Sequence, residues 1–224
     1  MSEFLDVLAQ YDIAAAYWVN IKLAFFGGLF SLILGTILAV MRISPLPSLR
    51  WAGSAYVNIF RNTPLTVVMM FAAYALWTQL GVQFSEDFST NFFWLAVLAL
   101  TVYTASFVCE SLRSGVNTVD LGQAEAARAI GLSFLPTARL VIMPQAFRGA
   151  IAPLGNTFIA LIKNTTVAAA ISVDEVAMLM KAMIEAHGNL VIPIFLAIAA
   201  GFVVIVIPVG LATTLLSQRL AVSR

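Results

Sequence analysis

Four polar side chains stand side by side at Lys163, Asn164, Thr165 and Thr166, in a stretch that is otherwise apolar. Lysine brings a fixed positive charge, the amide both donates and accepts, and so does each hydroxyl. Such a set can receive a carboxylate. It can equally bridge neighbouring helices in a membrane, so ligand contact and helix packing both remain open. Asn156 precedes Lys163 by seven residues and Thr157 precedes Asn164 by seven, which places the polar positions on one helical face. Tyr103 and Thr104, in the middle of another apolar run, are the next candidates for ligand contact. Other chemistry is poorly supplied. His187 is the only histidine and Cys109 the only cysteine, which excludes a disulfide framework and a metal site built on either residue type within one chain. A hydrolase needs a nucleophile and a base within reach, and His187 falls in a predicted loop. No catalytic site is expected, and no G-x-x-x-x-G-K-[ST] occurs, so the chain should not bind ATP.

These residues must be positioned by membrane helices. Of 224 residues, 61% are hydrophobic and only 10% charged, against roughly 25% charged in soluble domains. The mean hydropathy is +0.96. Five stretches are long and apolar enough to span a bilayer: about 14–41, 64–80, 92–112, 150–171 and 190–216. Pro64 suits the first turn of the second, with Asn62 or Thr63 as its cap. A central lysine costs about 2.5–3.5 kcal/mol on insertion scales, so Lys163 should face a polar cavity or a partner. Glu110 is too close to the end of its own span to reach Lys163. It is expected to hold that end together with Arg113. Cys109 reads as plain packing.

Orientation follows from arginine and lysine. Residues 42–61, 113–148 and 218–224 hold nine arginines: Arg42, Arg50, Arg61, Arg113, Arg128, Arg139, Arg148, Arg219 and Arg224. The opposite flanks hold only Lys22 and Lys181. The first set is assigned to the cytoplasm, with the N-terminus outside and the C-terminus inside. The acidic N-terminus lacks the basic region of a cleavable signal peptide. Residues 4–17 are expected to form an interfacial helix. On the outer side, Ser172 to Glu175 fits a capping box, followed by an amphipathic helix that Gly188 can close.

The cytoplasmic stretch from Gln123 to Gln145 alternates helix formers with breakers. A helix through "AEAARAI" ends at Gly131, a residue free to take positive φ. Ser133 can cap a second helix with Pro136 in its first turn, and Pro144 then interrupts or kinks the chain. Ala124, Ala126, Ala127 and Ala129 would let another protein approach closely. A rigid knob of this kind reads as a docking element or as an intramolecular interfacial helix.

The spacing Glu125-Ala126-Ala127, Gly131, then Val141 and Met143-Pro144 resembles the signature loop of the membrane subunits of ABC importers. "RNTPL" at 61–65, "ESLRSG" at 110–115, "PQAFR" at 144–148 and "GNTFIALIKNTT" at 155–166 are similar to the polar amino acid subfamily, with actinobacterial glutamate permeases nearest in overall text. Val67-Val68 departs from the Val-Gln pair that many relatives carry. The resemblance implies an all-α, five-span, type I importer permease forming one domain over 1–224, with a coupling loop at about 117–145. It implies a multi-pass protein of the bacterial plasma membrane, paired with a second permease that is a copy or a paralogue. Two cytoplasmic ATPases would bind ATP and receive Glu125, Ala126, Ala127, Gly131 and Pro144. An extracytoplasmic binding protein would deliver a polar amino acid, glutamate first, with glutamine or aspartate as alternatives. Lys163, Asn164, Thr165, Thr166, Asn156, Tyr103 and Thr104 would line its path. No cofactor and no nucleic-acid partner are implied. An ion-coupled carrier is disfavoured, because five spans leave too little wall and the docking loop would have no use.

Overall fold

The computed structural model describes residues 2–220, which are mostly helical and contain no strand; Arg224 of the basic flank lies outside them. A short α1 (Ser2–Gln10) leads into α2 (Ile13–Ile43), and α3 (Pro47–Asn62) into α4 (Leu65–Met70). The last widens into a π-helical segment, Phe71–Gln79. α5 (Phe88–Val116) is followed by α6 (Leu121–Ala129), α7 (Phe134–Thr137), a second π segment at Ala138–Ile142, and α8 (Met143–Gly149). α9 (Ile151–Asn164) tightens into a 3-10 segment, Thr165–Ile171. α10 (Val176–Ala186) and α11 (Val191–Leu220) complete the order, joined by a 3-10 turn at Gly188–Leu190.

Among the described residues four helical stretches are long and apolar enough to cross a membrane: Ile13–Ile43, Phe88–Val116, Ile151–Ile171 and Gly188–Leu220. The expected second span is the exception. Leu65–Gln79 is short on its own and completes a span only together with α3, from which it is bent by 104°. The segment 42–61, expected to be a flank, instead contains a full helix opened by Pro47, which buries Gly53 and Val57. Pro64 is the residue before α4 rather than its first turn, and no side chain caps that helix. Asn62 and Thr63 instead donate back to the carbonyls of Asn58 and Ile59, closing α3.

Two other local expectations need correction. The helix expected over 4–17 breaks at Tyr11–Asp12, because Asp12 accepts the N–H of Ala15 and starts α2 afresh. The capping box at Ser172 does not form. Ser172 is left-handed at φ 62°, and Glu175 itself caps α10, accepting from the N–H groups of Ala177 and Met178.

Contacts divide the chain into two compact units. The first comprises Met1–Gly28, Pro64–Leu100 and Ala160–Pro208. Its core includes Val7, Ala16, Val176, Met183, Ile194 and Ile198, which join α1, α2, α10 and α11. The second comprises Leu29–Thr63, Thr101–Ile159 and Val209–Arg224. Its core includes Leu38, Val57, Val108, Leu112, Met143 and Leu154. Helices approach closely where side chains vanish. A Cβ on Gly115 would overlap the carbonyl of Ala146, so α5 and α8 meet backbone to backbone.

Candidate functional site

The polar run at the end of α9 is divided between two tasks. Lys163 is exposed and lines a cavity of about 400 Å³ in the first unit, with Thr166, Ala177, Met180, Phe195 and Ile198. Among the described residues no carboxylate pairs with Lys163, so its charge is the dominant feature of an otherwise apolar wall. Thr166 donates its hydroxyl proton to the carbonyl of Lys163 at 2.8 Å, which leaves its oxygen free to accept. Thr165 faces the other way and is fully buried. Its hydroxyl donates to the Ile162 carbonyl at 2.7 Å and accepts from Asn20 Nδ2 at 2.9 Å. Asn164 is half-buried and does not line the cavity.

The remaining ligand candidates do not join this group. Asn156 is exposed two turns earlier on α9. Thr157, between them in register, bonds Ser111 of α5 at 3.0 Å and serves helix packing. Tyr103 packs on Phe107, while Thr104 is buried with its hydroxyl unpartnered. The seven-residue spacing is real as helix geometry, but one face of α9 serves both packing and cavity lining.

Two residues outside the sequence candidates dominate the first unit's polar interior. Glu175 is fully buried and accepts Asn20 Nδ2 at 2.7 Å, while Asn20 Oδ1 accepts the N–H of Val176 at 3.1 Å. Burial pushes the Glu175 carboxyl above the usual carboxylate range, opposed by its hydrogen bonds from Ala177, Asn20 and Met178. The only local signal is an amide inside an apolar run at Val19-Asn20-Ile21.

In the second unit Glu110 pairs with Arg42 of α2 and lies 3.8 Å from Arg61 of α3. The expected partner, Arg113, is not one of them. Glu110 thereby ties α5 to two other helices rather than to itself.

The helix–glycine–helix knob is present. Asp120 caps α6 by accepting from Gly122 at 2.7 Å, Gly131 takes φ 89°, and Ser133 precedes α7 without a side-chain cap. Glu125, Ala126 and Ala129 are exposed. Ala127 is not; at 4% exposure its side chain faces the protein. Its place outside is taken by large apolar side chains that the alanine pattern does not suggest, Leu121 at 81% exposure and Ile130 at 79%. Pro144 sits in the first turn of α8, directly after the π segment. The wider turns there relieve the clash between a proline ring and the carbonyl four residues back.

Among the described residues no group of three or more histidine, cysteine, aspartate or glutamate side chains could hold a metal ion. Residues 31–222 match the family described as binding-protein-dependent transport system inner membrane component. The chain belongs to that family. It is the permease subunit of an ABC importer, a multi-pass protein of the bacterial plasma membrane and not an enzyme. The permease is 50% identical to the glutamate transport system permease protein GluC of Corynebacterium glutamicum, over 93% of this chain and 94% of that protein. It is 32% identical to the probable glutamine ABC transporter permease protein GlnM of Bacillus subtilis, over 85% of this chain and 84% of that protein. Among solved structures it resembles an amino acid ABC transporter with histidines, with a TM-score of 0.81 and 26% identity, covering 96% of this chain and 98% of that one. This places the permease in the type I importer fold.

Proposed function

We propose that this permease imports glutamate, drawing its energy from partner ATPases. The carrying observation is the step in identity. Permeases named for glutamate stand at 50% and 49%, whereas those named for glutamine, arginine and cystine stand at 32%, 35% and 36%. The Lys163 cavity is compatible with that cargo: the ammonium attracts a carboxylate, and the Thr166 oxygen can accept from the substrate's own ammonium. We assign the cavity to the substrate path and Thr165 to packing. Asn164, Asn156, Tyr103 and Thr104 stay candidates for other contacts made by the cargo.

The working assembly is two permeases, identical or paralogous, two cytoplasmic ATPases and an extracytoplasmic binding protein. The knob around Gly131 docks on an ATPase through Glu125, Ala126 and the exposed Leu121 and Ile130. The nine-to-two distribution of basic residues supports a knob in the cytoplasm and α10 outside. Labelled-glutamate uptake in cells lacking their own glutamate importers tests the cargo. Excess unlabelled glutamate should abolish uptake, and glutamine or arginine at equal excess should leave most of it. Equal competition by glutamine overturns the assignment. Orientation is checked with single cysteines in a Cys109→Ala background. Ser85→Cys should react with an impermeant thiol reagent in intact cells and Ser133→Cys should not.

A further inference from the structure

We propose that Asn20 and Glu175 are a positioning pair that sets two walls of the Lys163 cavity, those at Thr166 and at the start of α10. The functional part of this inference rests on the reading that the cavity takes the substrate. Asn20, on α2, uses each side of its amide. Its Nδ2 donates to Glu175 Oε2 at 2.7 Å and to Thr165 Oγ1 at 2.9 Å, and its Oδ1 accepts from Val176 N–H at 3.1 Å. The orientation of the amide is fixed by these partners, because Val176 N–H can only donate. Thr165 has committed its proton to Ile162, so towards Asn20 it can only accept.

Each bond ends beside the cavity. Thr165 precedes Thr166, which lines one wall. Val176 and Glu175 open α10, whose Ala177 and Met180 line another. Glu175 Oε1 also accepts the N–H groups of Ala177 and Met178, so the same carboxylate anchors the first turn of that wall. One amide therefore holds the end of α9 and the start of α10 to α2. No lysine or arginine pairs with Glu175 among the described residues, so the arrangement depends on neutral donors in correct geometry. An aspartate at position 20 loses the donors and faces a second carboxylate. A glutamine at position 175 places a donor against the Asn20 donor.

The test is an exchange. Asn20→Asp and Glu175→Gln are made singly and together, and two readouts are taken on cells matched for assembled complex. The first is labelled-glutamate uptake. Each single variant should raise its KM about tenfold with a smaller change in kcat, because it displaces binding groups. The double variant restores two of the three bonds: the amide introduced at position 175 donates to the carboxylate introduced at position 20, which also accepts from Val176 N–H, and Thr165 can meet that carboxylate by turning its proton away from the Ile162 carbonyl. Its KM should return to within about threefold of wild type. The second readout is the rate at which N-ethylmaleimide modifies Met180→Cys in a Cys109→Ala background. Both singles should change that rate and the double should restore it. Restoration of the rate with no KM effect, in singles or in Lys163→Ala, upholds the pair and removes the cavity from the substrate path. If the singles fail to assemble, assembly of the double upholds the pair. Failure of the double to recover either assembly or the modification rate overturns it, as do singles that match wild type in both readouts.

Discussion

Glu175 in the first unit and Glu110 in the second are both carboxylates withdrawn from bulk water, and they are held by opposite means. Glu110 meets two guanidiniums, Arg42 and Arg61, contributed by different helices. Glu175 meets an amide and backbone N–H groups, with no opposite charge among the described residues. A guanidinium offers several donors and a long-range attraction, so a small displacement leaves much of the interaction in place. Hydrogen bonds from neutral donors weaken steeply with angle and distance. The first unit is therefore the one in which a modest change of helix position alters the polar interior most. It is also the unit that holds the uncompensated Lys163.

The largest expected effect lies in the second unit's packing. Gly115→Ala would force a methyl into the Ala146 carbonyl and should abolish assembly, read as loss of permease in purified membranes. Its counterpart in the first unit, Gly201→Ala, meets the phenol end of the Tyr17 side chain, which can move aside by giving up its hydrogen bond to the Ile198 carbonyl. It should assemble with lowered thermal stability. Equal outcomes for the two would erase the contrast between backbone and side-chain contact. Next is Arg42→Met, which leaves Glu110 with only the more exposed Arg61. A loss of about 2–3 kcal/mol is expected, below the figure for a fully buried pair because Glu110 is 28% exposed, and it would appear as reduced melting temperature in detergent.

Two smaller effects concern transport rather than folding. Gly131→Val cannot hold φ 89° without strain and should lower uptake and substrate-stimulated ATPase activity together, about tenfold, in a permease that still inserts. Wild-type rates in that variant would dismiss the knob as the coupling element. Lys163→Ala should raise the KM for glutamate about tenfold with stability unchanged. Asn164→Asp, one residue away but outside the cavity lining, should raise it less than Lys163→Ala does. A larger effect at Asn164 would move the substrate path off the Lys163 wall.

The long apolar runs make the spanning helices legible, and Gly131 makes the knob legible, because both signals are local. The short helix after Pro64 is less so: its apolar length is plain in the sequence, but nothing local announces that it begins after a 104° bend from α3. The polar interior is hidden for a different reason. Asn20 and Glu175 are 155 residues apart, and Arg42 and Glu110 are 68 apart. Helical spacing points Glu110 to Arg113 because it is three residues away, whereas tertiary packing supplies Arg42. The alanines of α6 show the same limit at shorter range. Ala126 and Ala127 are adjacent and equally small, yet only Ala127 turns inward.

The π-helical segment Phe71–Gln79 carries a consequence for the chain's tolerance of length change. A wide turn of this kind holds one more residue than an α-helix of the same reach. Removing a single residue there would let the segment relax to α geometry while its flanking residues keep their facing. The same deletion within α9 would rotate everything beyond it by about 100°, the angular step of a helix with 3.6 residues per turn. This stretch is a place where a one-residue loss can be absorbed without re-aiming the helices that follow.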